Sequence, residues 1–76
     1  MPSSNFHVVP IGPRNKARRW GVEERGALLC VSIVKRHAVR CGRALAKEGR
    51  TSLRIHGQNG RILEERSYGN ETKRPG

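Results

Sequence analysis

Residues 32–49 constrain this chain more than any other stretch, because they read as one amphipathic helix with two differently built faces. Val34, Ala38, Cys41 and Leu45 recur at helical spacing as an apolar stripe, and Arg36, Arg40, Arg43 and Lys47 repeat the interval two residues later. Two residues correspond to about 200° of rotation, so the basic stripe is expected nearly opposite the apolar one. Ser32 is suited to cap the start and Gly49 to adopt the left-handed conformation that ends a helix. Lys35 and Arg36 in the first turn oppose the helix dipole, and Glu48 is the only acid in the helix. No alternating-sign pattern therefore neutralises the basic stripe.

A chain of 76 residues makes one small domain, too small for a deep catalytic cleft. Sixteen Lys and Arg against six acids give a formal charge of +10, which favours an anionic partner. The longest nearly apolar run, Ala27 to Val34, falls far short of the ~20 residues that cross a bilayer, and no signal-peptide pattern opens the chain. A cytoplasmic location, in a bacterium or a phage-infected host cell, is the expectation. Cys30 and Cys41 are accordingly expected to be reduced, with Cys41 acting as a small core hydrophobe.

Taken in order, residues 1–5 and 69–76 have the composition of loose tails. Phe6 to Val9 form a short strand ended by Pro10, and Pro10 to Arg19 form a loop that concentrates Arg14, Lys16, Arg18 and Arg19. Trp20 to Glu23 make a second strand and Ala27 to Val31 a third, separated by a turn at Glu24 to Gly26. After the helix, Leu53 and Ile55 alternate with Ser52, Arg54 and His56, the period of a half-buried strand. Asn59 and Gly60 match a two-residue type I′ turn that returns the chain as a final strand over Arg61 to Tyr68. The predicted fold is α+β, a two-layer sandwich of about five short antiparallel strands and one helix, with one sheet face left open.

These landmarks resemble a small bacterial and phage family known as domain of unknown function 2188. The likeness runs through His7, Val8, Val9 and Pro10, then Trp20 and Val22, and then Ala38 to Lys47 with its central Gly42 and Arg43. It continues through His56, Gly57, Gly60, Arg61 and Ile62, and ends at Ser67, Tyr68, Gly69 and Asn70. The resemblance implies a compact β-rich fold with one helix, and it brings no catalytic or binding role with it. Where the family usually opens its helix with Thr-Lys, this chain has Val34 and Lys35. Where the family often carries acids on the exposed helix face, this chain has His37 and Arg40.

No chemistry of an enzyme is legible. His7, Cys30, His37, Cys41 and His56 lack the paired short spacing of a metal knuckle, and the neighbours Glu64 and Glu65 point to opposite faces of a strand. No catalytic residue, metal or other cofactor is expected. Trp20 is expected to fill the core and Tyr68 is the candidate for stacking on a base. The leading expectation is a non-enzymatic module that binds nucleic acid, DNA or RNA, through Arg36, Arg40, Arg43 and Lys47 together with Arg14, Lys16, Arg18 and Arg19. The alternative is a protein-interaction module, such as a phage-encoded inhibitor or accessory factor, that docks on an acidic protein surface. A third reading is a homodimer formed through an exposed strand edge.

Overall fold

A computed structural model describes residues 5–69. The order of elements is β1 (Phe6–Ile11), β2 (Arg19–Glu24), β3 (Ala27–Ser32), α1 (Lys35–Gly49), β4 (Ser52–His56) and β5 (Ile62–Ser67). The strands form one sheet in the order β3-β2-β1-β4-β5, with α1 across one face. This is the α+β arrangement of five strands, one helix and a C-terminal hairpin that the sequence patterning predicts. One pairing departs from the expected antiparallel sheet. The central neighbours β1 and β4 run parallel, matching Val8 with Ile55, because the crossover through α1 returns the chain in its starting direction. The sequence tails beyond residues 5 and 69 lie outside the described residues.

Pro10 does not end β1, which continues to Ile11 and pairs Pro10 with Trp20. Proline is tolerated there because β4 covers only Phe6, His7 and Val8 on the other side, so its missing N–H leaves no gap in that ladder. The two-residue hairpin turn occurs at Arg25 and Gly26, both at positive φ, with Glu24 opposite Ala27. At the β4–β5 connection only Gly60 has positive φ, so this is not the type I′ turn predicted for Asn59–Gly60. The Gly60 N–H donates to the Gly57 carbonyl and the Gly57 N–H to the Arg61 carbonyl, which closes a longer loop.

The helix begins three residues later than its composition predicts. Val34 occupies the N-cap without a side-chain cap, while the Ser32 hydroxyl accepts the Val34 N–H at 3.1 Å and so holds the turn before the helix. At the other end Arg50, not Gly49, takes the left-handed conformation. The helix is also rotated from the predicted orientation. Its buried residues are Ala38, Gly42 and Ala46, whereas Cys41 and Leu45 are partly buried and Val34 is exposed. The line of small residues lets the helix settle closely on Val8, Val22 and Leu53, which are fully buried. A Cβ on Gly42 would lie 2.8 Å from Cδ1 of Leu53 and 3.3 Å from Cγ2 of Val8.

This seating brings Cys41 to Cys30 of β3, and the two are joined in a disulfide with their Cα atoms 6.8 Å apart. The expectation of reduced cysteines is thereby corrected; it rested on compartment, whereas the pairing follows from where the helix flank meets the edge of the sheet. Trp20 does fill the core, alongside Phe6, Ile55 and Tyr68.

Two measurements check this packing. Gly42→Val should lower stability by about 1–3 kcal/mol in denaturant titrations, because its branches must displace Leu53 and Val8. Thiol titration of the native oxidised protein should find no free thiol. Reduction should then cost about 2–3 kcal/mol, the loop entropy expected for cysteines 11 positions apart.

Candidate functional site

The rotation of α1 decides where its cations go. The disulfide fixes the flank of Cys41 toward β3, and Glu48, seven residues on, shares that flank by helical geometry. The opposite flank, with Val39, Arg36 and Arg43, is turned toward the β4 side. Arg43 and Arg36 thus lie about 100–120° round the helix from Gly42, toward that flank, while Arg40, two residues from both Ala38 and Gly42, stays on the outer face. Lys35, Arg36, Val39, Arg40 and Arg43 line one groove whose apolar component is Val39. Lys35 is held there by Trp20, with Nζ 4.5 Å from the ring centroid. That contact offsets the unfavourable position of a cation in the first turn of the helix.

Lys47 belongs elsewhere. It sits near the C-terminal end of the helix, about 16 Å along the axis from Arg36, with Nζ 5.8 Å from the ring of Tyr68. Tyr68 itself is buried, at 7% exposure, and its backbone N–H donates to the carbonyl of Thr51. Its assignment as a base-stacking residue is corrected on this ground: a ring in the core under Lys47 offers no free face. Its hydroxyl is buried without a hydrogen-bond partner among the described residues.

The cations of the β1–β2 loop are mounted on a braced segment. Gln58 in the β4–β5 turn donates from Nε2 to the Ala17 carbonyl at 2.8 Å and accepts the Ala17 N–H at 2.9 Å, while its carbonyl accepts the Asn15 N–H. Ala17 is buried, and Arg14, Lys16, Arg18 and Arg19 around it are exposed. Lys16, Arg18 and Arg19 share a hollow with Ile11, Gly12 and Pro13, whereas Arg14 lines another beside Pro10 and Asn59. Trp20 opposite Ser32 and Pro10 puts this loop and the start of α1 at the same end of the sheet. The predicted binding residues are therefore grouped in part, with Arg36, Arg40 and Arg43 in the helix groove, Lys16, Arg18 and Arg19 in the loop hollow, and Lys47 remote.

Acids are disposed away from both. The salt bridges among the described residues are Arg54 with Glu65, at 3.1 Å, and Arg66 with Glu64, all on the β4–β5 hairpin. Among the described residues no acid lines the helix groove or the loop hollow. Sequence reasoning missed Lys35 as a groove residue, since it was read only as a dipole cost. The spacing of Ala38, Gly42 and Ala46 was the available signal, because small residues four apart mark the line of closest approach.

The open sheet face carries a second polar feature absent from the sequence reading, a histidine pair on β1 and β4. Nδ1 of His56 lies 2.9 Å from the Gly60 carbonyl and must donate to it, leaving Nε2 to accept from Nδ1 of His7 at 3.1 Å. Among the described residues no group of three or more potential ligands is arranged to hold a metal ion. Burial pushes the pKa of His7 below its usual value near 6.5, and the positive fields of His56 and Arg54 add to this against the opposing pull of Glu23.

A family model described as "Uncharacterized protein conserved in bacteria" (DUF2188) matches residues 6–68, nearly the whole described fold. The chain belongs to this family. The match takes in every strand, the helix groove and the braced loop, and the family's description assigns no activity to them. No curated protein and no solved structure matches the chain. No helix among the described residues is long and apolar enough to cross a membrane.

The histidine pair yields a pH prediction. A folded-state pKa below the unfolded value means that the unfolded chain binds the extra proton first as pH falls. The stability contributed by neutral His7 is present above about pH 6.5 and is lost as pH drops through its lowered folded value. Urea midpoints of the wild type should accordingly decline from pH 7.5 toward pH 5, and His7→Gln should flatten that decline.

Proposed function

We propose that this protein is a non-enzymatic nucleic-acid-binding module that grips phosphates with the basic flank of α1. The observation that carries this reading is the groove of Lys35, Arg36, Arg40 and Arg43 around Val39, with no acid in its lining and no salt bridge to these cations among the described residues. Cations already paired with acids gain little by meeting a polyanion, whereas unpaired ones release condensed counterions from it. Lys35 is ordered against Trp20, and the neighbouring arginines carry planar forks suited to paired hydrogen bonds with phosphate oxygens. The braced loop with Lys16, Arg18 and Arg19 supplies a further set of phosphate contacts from the same end of the sheet. Contacts of this kind fix position without reading sequence, and the burial of both Trp20 and Tyr68 leaves base stacking a minor role.

A second reading is docking on an acidic protein surface, favoured by one observation on the open sheet face. There Ile11 and Leu28 meet over Gly21, where a Cβ would come within 2.7 Å of both, and exposed Val31 lies alongside with Arg19 at the margin. An apolar centre with a basic rim is the usual composition of a protein interface.

Salt dependence separates the two. Binding to mixed-sequence duplex DNA and RNA should weaken linearly on a log–log plot against salt. The triple variant Arg36→Gln, Arg40→Gln, Arg43→Gln should flatten the slope on DNA by about 2–3 units while keeping the wild-type melting profile. An unchanged slope in the folded triple variant would remove the helix from the mechanism. Absence of nucleic-acid binding by the wild type near 0.15 M salt would favour the acidic protein partner instead.

A further inference from the structure

The two edges of the sheet are built differently. The β5 edge begins with exposed Ile62 and Leu63 but continues through Glu64, Glu65 and Arg66, all exposed and engaged in ion pairs. Charges of this kind are how proteins protect an edge strand from pairing with another chain. The β3 edge carries no charge of this kind. Residues 27–32 include no charged side chain, and Leu28, Leu29 and Val31 are each about half exposed, followed directly by Ile33 at 76% exposure.

The register of β3 makes this edge complementary to itself. Val31 lies opposite Gly21, and Leu28 lies opposite Glu23, because the irregularity between Val22 and Glu23 leaves Leu29 without a partner on β2. That extra residue moves Leu28 to the open face of the sheet, the face that also carries Val31. In an antiparallel pair of identical strands centred between Leu29 and Cys30, Leu28 of each copy faces Val31 of the other on that face. Ala27 then faces Ser32, and no charge opposes another. Directly opposed aliphatic side chains are a favourable cross-strand pair. We infer that the chain forms a symmetric dimer through antiparallel β3–β3 pairing, which joins two five-stranded sheets into one continuous sheet.

Charge permits this assembly despite the +10 carried by each copy. A two-fold axis through β3 perpendicular to the sheet puts both helices on one face, each with its Cys41 flank toward the axis. The flanks with Arg36, Arg40 and Arg43 point outward, so the most basic surfaces are the farthest apart. The remaining long-range repulsion is screened by salt, and the dimer should therefore tighten as salt rises, opposite to a complex with nucleic acid.

The test is sedimentation of the oxidised full chain after nuclease treatment, from micromolar to submillimolar concentration, at low and high salt. A reversible dimer that strengthens with salt is expected. Leu29→Lys and Val31→Lys should each weaken it by about tenfold or more by placing like charges near the axis, while Leu63→Lys on the β5 edge should leave it unchanged. Melting profiles identify any variant that fails to fold. Hydrogen exchange on the wild type provides a reading free of substitutions, with protection that rises with concentration in residues 27–32 and not in residues 62–67. A monomer at every concentration and salt, loss of the dimer on nuclease treatment, or a dimer sensitive to Leu63→Lys and insensitive to both β3 variants would overturn the inference. These measurements contain no nucleic acid, so their outcome is independent of the proposed binding function.

Discussion

The close seating of α1 on the sheet at Gly42 is the contact from which the rest of the molecule follows. A domain this small has few large side chains to bury, and its fully buried ones, Leu53, Val8 and Val22, lie under the helix segment with the least side-chain bulk. Ala38 and Ala46, one turn to either side, keep the helix close along its length. Full burial of an aliphatic side chain contributes about 1.5–3 kcal/mol, so three such residues form a substantial part of the stability of a small domain. Any side chain at position 42 lifts the helix from all three at once.

That seating also sets the rotation of the helix about its own axis, and rotation is what distributes the chemistry. With Gly42 facing down, Cys41 falls over β3 and reaches Cys30, Lys35 comes over Trp20, and the arginines gather on the other flank around Val39. The groove is thus a by-product of a packing decision made by small residues. Among the described residues no acid bridges its cations: Glu64 and Glu65 are engaged on the β4–β5 hairpin, Glu23 and Glu24 close β2 with Glu23 opposite His7, and Glu48 lies on the far flank.

The element types were legible from hydrophobic period alone. Alternation in β4, the apolar run of β3 and the 3.6-residue repeat of α1 are local properties of the chain, and the resulting α+β class with its C-terminal hairpin is what the structure has. What period could not reveal was phase. Counting apolar residues favoured Val34, Ala38, Cys41 and Leu45, yet the helix packs on its smallest residues because closeness of approach contributes more than bulk there. Turn chemistry misled for a related reason: Asn59 and Gly60 suit a tight turn, but Gln58 is engaged with Ala17 of another loop, and that tertiary contact selects the wider connection. The disulfide, the burial of Tyr68 and the histidine pair all depend on residues brought together from distant parts of the chain, which no local pattern contains.

The parallel pairing of β1 with β4 has a consequence for how the chain acquires its structure. β1, made before the other strands of this sheet, ends in its middle, and the match of His7 with Arg54 spans most of the described chain. β1, β2, β3 and α1 can associate through short connections, but one side of β1 keeps unpaired backbone groups until β4 has been made. Non-local pairing of this kind slows folding, since the loop must close before the contact can reward it. The nascent protein therefore passes through a stage in which its future centre is a bare edge, and β4 with its hairpin acts as the closing piece that turns that edge into an interior.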